Sequence, residues 1–362
     1  MSGSVDLGVA SQEKETETPV QSVGDATVPP PDVVLPSAVP EEEQADETLE
    51  DNVGAYWDAD SMASLNAASA AAIARLRAYK PPPAPIWDRL HLTRRAAVLL
   101  LLFADRRGDL RVVITMRAAS LRSFSGHAAF PGGKADSVSE TPYQIARREA
   151  WEEIGLPMDD AKLPSPFRIE HLCYLPMNLA RTELIVRPCV AFLHTDGKGR
   201  GEGGLIPKLD AKEVAAVFSA SFHNFLRADD EGIARKPPGK WYEGNWLQWH
   251  DEPWRVHYFG VPVTDQKVVT PGGGDGDALA EERFKVWGMT ARILVDAAMI
   301  AYGETPEFEH LGHYGDEGLI RQLDEWGQLG PKVRSAAQED AKVVNDGRGS
   351  DGKKNGEGES KI

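Results

Sequence analysis

The chain has 362 residues, 41% hydrophobic and 27% charged, with a formal net charge of −16 at pH 7 and two cysteines. Its longest apolar run, nine residues from 96 to 104, falls far short of the ~20 that cross a bilayer as a helix, so no membrane span is expected. Cys173 and Cys189 are too few for a disulfide framework and lack zinc-ligand spacing, which makes a reducing compartment the default and oxygen the expected donor to any metal.

Most of the acidity is local. In residues 1–50 twelve Asp and Glu stand against one Lys, Lys14, so this segment carries −11 and the remainder only −5. A near-neutral body with an acidic tail offers no electrostatic footing for nucleic acid. Residues 1–60 are rich in Pro, Glu, Ser and Thr and have no sustained apolar period, so a disordered tail without an N-terminal address is expected. Residues 61–79 are Ala-rich, with Met62, Leu65, Ile73 and Leu76 at helical spacing. They read as a helix ending before Pro81-Pro82-Pro83, which places a helix and linker at 61–84.

From Arg95 the pattern turns to short apolar runs between turn signals. Residues 96–103 and 110–116, joined by Arg107-Gly108-Asp109, read as a β-hairpin, and 167–174, 184–192, 214–219 and 256–263 as further strands. Helices are expected at 142–154 and 290–302. The simplest packing is an α/β (α+β) arrangement, a mixed sheet between helices, over residues 85–328. Gly-rich stretches near 195–207 and 269–277 read as loop insertions, and 329–362 as a disordered C-terminal tail.

Residues 132–156 carry the chemistry. Thr141, Pro142 and Gln144 form a capping-box start, and Gly155-Leu156-Pro157 a left-handed stop, for a helix of about thirteen residues. Glu149, Glu152 and Glu153, at i, i+3 and i+4, stack three carboxylates on one face, where each like-charged pair costs roughly 0.2–0.5 kcal/mol unless neutralised. A solvated acidic face salted by Arg147 and Arg148 is the bland reading. The Gly132-Gly133 loop upstream favours the alternative, a site for Mg²⁺ or Mn²⁺ and a substrate phosphate.

The segment resembles the signature box of Nudix hydrolases, Gly-x5-Glu-x7-Arg-Glu-U-x-Glu-Glu-x-Gly-U with U bulky and apolar. Glu140, Arg148-Glu149, Glu152-Glu153 and Gly155-Leu156 match, while six residues instead of five follow Gly133 and the small Ala150 fills the first U. The resemblance implies a Nudix-type sandwich and hydrolysis of a diphosphate. It makes Glu149 and Glu153 the main metal ligands and Glu152 a third ligand or water-positioning group. It further implies that the Gly133 carbonyl adds an oxygen, Arg148 orients a carboxylate, and Glu140 is structural.

Residues 115–133 resemble an additional signature of the coenzyme A diphosphatase branch, through Thr115, Arg117, Ala118, Arg122, Gly126, Phe130, Pro131, Gly132 and Gly133. The branch implies coenzyme A or its thioesters as substrate, 3′,5′-ADP and a 4′-phosphopantetheine as products, and substrate contacts from Arg117, Arg122, Gly126, Phe130, Gly132 and Gly133. The longer spacing after Gly133 suits this branch. NADH, ADP-ribose or an oxidised nucleotide is the alternative substrate, and a non-catalytic binding module the alternative class.

Glu213 is a candidate base or outer group, and His127 has no partner in the pattern and receives no role. Residues 286–294 resemble a late helix start of the same branch and read as core packing, as does the cluster Trp241, Trp246, Trp249 and Trp254, whose alternative is an aromatic wall for a ligand. The terminal Ser360-Lys361-Ile362 differs from the Ser-Lys-Leu peroxisomal address only in its last aliphatic residue, so import through that receptor is expected, with a cytoplasmic location as the alternative.

Overall fold

The computed structural model describes residues 57–58, 62, 64–121, 126–195, 204–205, 207–231, 236–250, 252–264, 266, 268–271 and 282–331. Arg122, the acidic N-terminal segment and Ser360-Lys361-Ile362 lie outside them. Among the described residues no helix is long and apolar enough to cross a membrane.

A two-residue strand β1 (Trp57–Asp58) precedes helix α1 (Ala67–Ala78). The helix starts at Ala67, not at 61, because the Asn66 side chain accepts the Ser69 N–H at 2.9 Å and sets the cap there. Met62 is buried outside the helix. After the short α2 (Ile86–Arg89) comes the expected hairpin, β2 (Arg95–Ala104) and β3 (Leu110–Arg117), paired antiparallel with Leu102 opposite Val112. Then follow β4 (Ala128–Ala129), β5 (Gly132–Lys134), helix α3 (Pro142–Ile154), β6 (Phe167–Tyr174), β7 (Asn178–Leu179), β8 (Ile185–Thr195), β9 (Gly204–Leu205) and β10 (Val214–Ser221).

The main sheet runs in the order β10-β3-β2-β8-β6, and it is mixed because β2 and β8 are parallel while the other neighbours are antiparallel. Its centre explains the apolar run. Leu100 and Leu102 face one core with Ile73 and Leu76 of α1, whereas Leu99 and Leu101 face the other with Ile145, Ala146, Ala150 and Ile154 of α3. A strand covered on both faces has no polar side to alternate with. All four leucines are 0% exposed, each worth about 1.5–3 kcal/mol of burial. Ala150, small where the box has a bulky residue, is also 0% exposed beneath α3.

A second sheet holds β11 (Tyr242–Trp249), β12 (Glu252–Pro262) and β13 (Arg283–Trp287) in that order. Strand β13 runs straight into α4 (Gly288–Tyr302), which shares a core with α1, and α5 (Glu317–Glu325) follows. Besides α2 and the shortest strands, of which β1 falls inside the expected tail of residues 1–60 and β9 inside the expected loop near 195–207, three longer elements depart from expectation. Strand β11 alternates poorly because most of it is exposed, β13 is only five residues long, and α5 lies in a stretch with no helical signal beyond Ile320 and Leu323. The tryptophans do not form one core cluster either: Trp241 is buried at 4%, but Trp246 is 44% exposed and donates to Glu309 at 2.8 Å, and Trp249 and Trp254 meet edge-on near the hairpin end.

Candidate active site

Helix α3 carries the carboxylates because both its ends are locally determined. The Thr141 hydroxyl accepts the Gln144 N–H at 3.2 Å and the Gln144 carbonyl accepts the Thr141 N–H at 2.9 Å, the reciprocal box read from the sequence. Gly155 closes the helix at φ 70°. Between these ends the helix buries Ile145, Ala146, Ala150 and Ile154 and turns Glu149 and Glu153 toward β5.

Strand β5 is the floor of the site. Gly133 lies directly against Glu149, so a Cβ there would stand 2.5 Å from the Glu149 carboxyl carbon. A Cβ on Gly132 would stand 2.7 Å from the Val98 Cα, on the backbone of β2. Two glycines are needed because helix and sheet close on this strand from both sides. The Gly132 N–H donates to Glu153 Oε2 at 3.1 Å.

Arg148 is the hub of the cluster. Its Nε donates to Glu140 at 2.9 Å, one terminal nitrogen donates to Glu149 at 2.9 Å and lies 3.4 Å from Glu152 and Asp136, and the other donates to the Lys134 carbonyl at 2.8 Å. Glu140 also accepts the Asp136 and Ser137 amides at 2.7 and 3.1 Å, a structural brace that ties the loop to the helix. Burial works against its charge, but Arg148 and the two amides outweigh it and hold its carboxyl below the ordinary range.

The inner carboxylates behave oppositely. Burial pushes Glu149 up, and Glu152 and Glu213 add to the rise against the pull of Arg148. Glu153, 4% exposed, is pushed up to about 8 by burial, with Glu149 and Glu213 reinforcing the shift and the Gly132 amide and Arg117 opposing it. Glu152 stays on the exposed flank, its side chain 45% accessible. Glu213 is exposed, yet its charge reaches both inner glutamates.

Arg117 ends β3, and its positive charge acts on Glu153 while its buried Nε has no partner among the described residues. Gly126 turns the chain at φ 68° and donates its N–H to the Arg117 carbonyl at 3.1 Å. Phe130, in contrast, is 4% exposed within the core of α1 and α4, so its ring packs the fold and does not line the site. His127, without a partner in the sequence pattern, meets the Trp287 ring edge-on with centroids 5.0 Å apart. The signal that could have found this contact is Trp287-Gly288, the entry to α4, 160 residues further along the chain.

Among the described residues no three acidic, His or Cys side chains converge as a ready-made metal cage. Glu149 is turned to Arg148, Glu153 to the Gly132 amide, and Glu152 outward. The donor set nevertheless fits a hard divalent cation: one buried and one half-buried carboxylate pushed toward neutrality, further acid around them, and the glycine backbone of β5 packed against them.

A NUDIX domain model matches residues 93–242. The peroxisomal coenzyme A diphosphatase 1 of Saccharomyces cerevisiae is 34% identical over 292 residues, which cover 72% of this chain and 84% of that protein. The chain belongs to the Nudix family. As a Nudix hydrolase it acts on pyrophosphate bonds, and the matched span includes β5 and α3. Mitochondrial Nudix hydrolase 15 of Arabidopsis thaliana is 31% identical over 215 residues, 59% of this chain and 61% of that one. An uncharacterized Nudix hydrolase, NudL, of Cronobacter sakazakii is 29% identical over 227 residues, 61% of this chain and 90% of that one.

Proposed function

We propose that this Nudix hydrolase cleaves the diphosphate of coenzyme A and its thioesters, releasing 3′,5′-ADP and 4′-phosphopantetheine products. The observation that carries this reading is Arg117 at the end of β3, whose buried Nε has no partner among the described residues and whose charge acts on the buried Glu153, with the glycine floor of β5 under Glu149. A guanidinium with an unused donor beside such a site suits a phosphate oxygen. Similarity to a coenzyme A diphosphatase supports the same substrate class.

Glu149 and Glu153 would hold Mg²⁺ or Mn²⁺, with Glu152 as the third acidic group and the Gly133 carbonyl as a further oxygen. Such an ion supplies charge neutralisation for the phosphoryl oxygens. The chain's own part is positioning: Arg148 and Glu140 lock the helix to the loop, Arg117 binds phosphate, and Gly132 orients Glu153 through its amide. The terminal Ser360-Lys361-Ile362 supports peroxisomal delivery of an enzyme acting on acyl thioesters. A fluorescent protein bearing residues 331–362 should form peroxisomal puncta and become diffuse when Ile362 is deleted.

The deciding experiment is product mass spectrometry on coenzyme A, an acyl-coenzyme A, NADH and ADP-ribose with Mg²⁺. Coenzyme A should give 3′,5′-ADP and 4′-phosphopantetheine at the highest kcat/KM. Equal turnover of NADH and coenzyme A overturns the substrate reading.

A further inference from the structure

The second sheet turns one face to the core and one outward. Inward lie Phe259, Val261, Phe284 and Val286, none more than 4% exposed, so the core of this sheet is filled without help from the other face. Outward, Tyr258 and Trp287 stand directly opposite each other on β12 and β13, with ring planes 8° apart and centroids separated by 5.8 Å. Both are half-buried. Lys285 projects from the same face, exposed, with its Nζ 4.4 Å from the Tyr258 centroid and 5.8 Å from that of Trp287. Gly260, opposite Lys285, adds no side chain. Glu243, opposite Tyr258 on the other side, is paired with Lys240 at 3.2 Å, and among the described residues no carboxylate pairs with Lys285.

This face borders the segment that leads into β5 and the active site. Trp287 meets His127, whose carbonyl accepts the Arg117 N–H at 3.0 Å, and Thr290 at the start of α4 donates to the Ala128 carbonyl at 3.2 Å. Gly132, the donor to Glu153, lies five positions after His127, and an extended chain of that length reaches at most ~18 Å. One nucleotide-sized ligand can therefore touch both ends.

We propose that Tyr258, Trp287 and Lys285 form the seat of the nucleotide half of the substrate, the rings stacking on a purine base and the ammonium meeting its ribose phosphate. This rests on the diphosphatase reading above and adds to it the place of the base. A parallel aromatic pair offers a planar surface to any base, and a lysine beside it supplies the point charge for a phosphate that the rings cannot bind. The inward row already closes the core, so the outward aromatics are not needed to fill it.

The test is direct binding of 3′,5′-ADP and of 4′-phosphopantetheine to the full-length protein by calorimetry, beside hydrolysis of coenzyme A. Trp287→Ala and Tyr258→Leu should each weaken 3′,5′-ADP by about tenfold or more and leave 4′-phosphopantetheine unchanged. Trp287→Tyr should restore most of the loss, and Lys285→Gln should weaken 3′,5′-ADP more than 5′-AMP. Circular dichroism guards against misfolding at the head of α4, and Tyr258→Leu, away from that helix, is the independent variant. Unchanged 3′,5′-ADP affinity in both aromatic variants, or equal losses for the two ligands, overturns the seat. A wild type that leaves coenzyme A intact, but loses 3′,5′-ADP when Trp287 is replaced, retains the seat and loses the substrate reading; coenzyme A hydrolysis with unaltered 3′,5′-ADP binding in the variants does the reverse.

Discussion

Two clusters of charge, one behind α4 and one on α3, solve the same electrostatic problem differently. Behind α4, Arg292 is 1% exposed and donates to Asp316 at 2.5 Å and to the Gly315 carbonyl at 2.6 Å. Asp316 also accepts the Leu179 amide at 2.9 Å, and Asp296 accepts the Gly315 amide at 3.0 Å. A chain of contacts leads from Tyr242 through His257 and His310 to Asp296, at 3.1, 2.9 and 2.7 Å. Burial pushes His257 down to about 3, so it stands in this chain as a neutral imidazole that can take one proton-donating neighbour and serve one acceptor.

On the α3 side one arginine, Arg148, serves Asp136, Glu140, Glu149 and Glu152, while Glu153 has a single amide donor and two neighbouring carboxylates that raise it further. Paired charge behind α4 stitches α4, β7, β11 and β12 together. Surplus like charge on α3 costs stability unless something neutralises it. The contrast separates fully paired from underpaired acid more sharply than burial does, since each cluster holds a buried carboxylate, Asp316 in one and Glu153 in the other.

Breaking the paired side should have the largest effect. Asp316→Asn leaves the Arg292 guanidinium buried without its counter-charge and should cost about 3–5 kcal/mol in urea unfolding. A smaller cost would mean that the pair is less isolated than its burial implies.

Glu153→Gln should do the opposite to stability, since a neutral amide can be buried without taking up a proton, while turnover falls by ~10²-fold or more. Metal-free Tm equal to or above wild type, with kcat collapsed at saturating Mg²⁺, is the expected pair of results. Near wild-type turnover would contradict the role given to Glu153.

The pH dependence sharpens the same point. The folded value of Glu153, about 8, lies above its ordinary 4.5, so its contribution is fully present below about 4.5 and is lost as pH rises to about 8. With chelator present, the urea midpoint of the wild type should decline over this window relative to Glu153→Gln. Added Mg²⁺ should stabilise the wild type more at pH 8 than at pH 6, because the proton competes with the cation. Parallel curves for the two proteins would remove Glu153 as the source.

The smallest effect belongs to the cap. Thr141→Ala removes one local acceptor and should cost about 1 kcal/mol, with turnover below the melting range unchanged. A large loss of activity would mean that this end of α3 also positions the carboxylates.

Much of the fold was legible because its rules are local. The ends of α3 are written in Thr141, Gln144 and Gly155, whose hydrogen bonds and left-handed turn involve residues within four positions of one another, and the structure places the helix at Pro142–Ile154 as read. The apolar run of β2 announces a strand covered on both sides, and the spacing of Glu149, Glu152 and Glu153 puts their charges together whatever the rest of the chain does. Strand β11 escaped because its exposed residues carry no alternation, and α1 begins late because one side chain, Asn66, decided its start.

Tertiary structure alone decided which charges matter. The sequence could stack three glutamates on a helix, but not say that Glu153 is sealed beneath Gly132 while Glu152 faces water, or that Arg148 spends itself on several acids at once. Nor could it pair Arg292 with Asp316, or lay Trp287 against His127, since these partners meet only when helices and sheets from distant segments pack. Spacing along a helix is a property of the backbone, whereas the cost of a charge depends on how much water and what counter-charge the folded chain leaves around it.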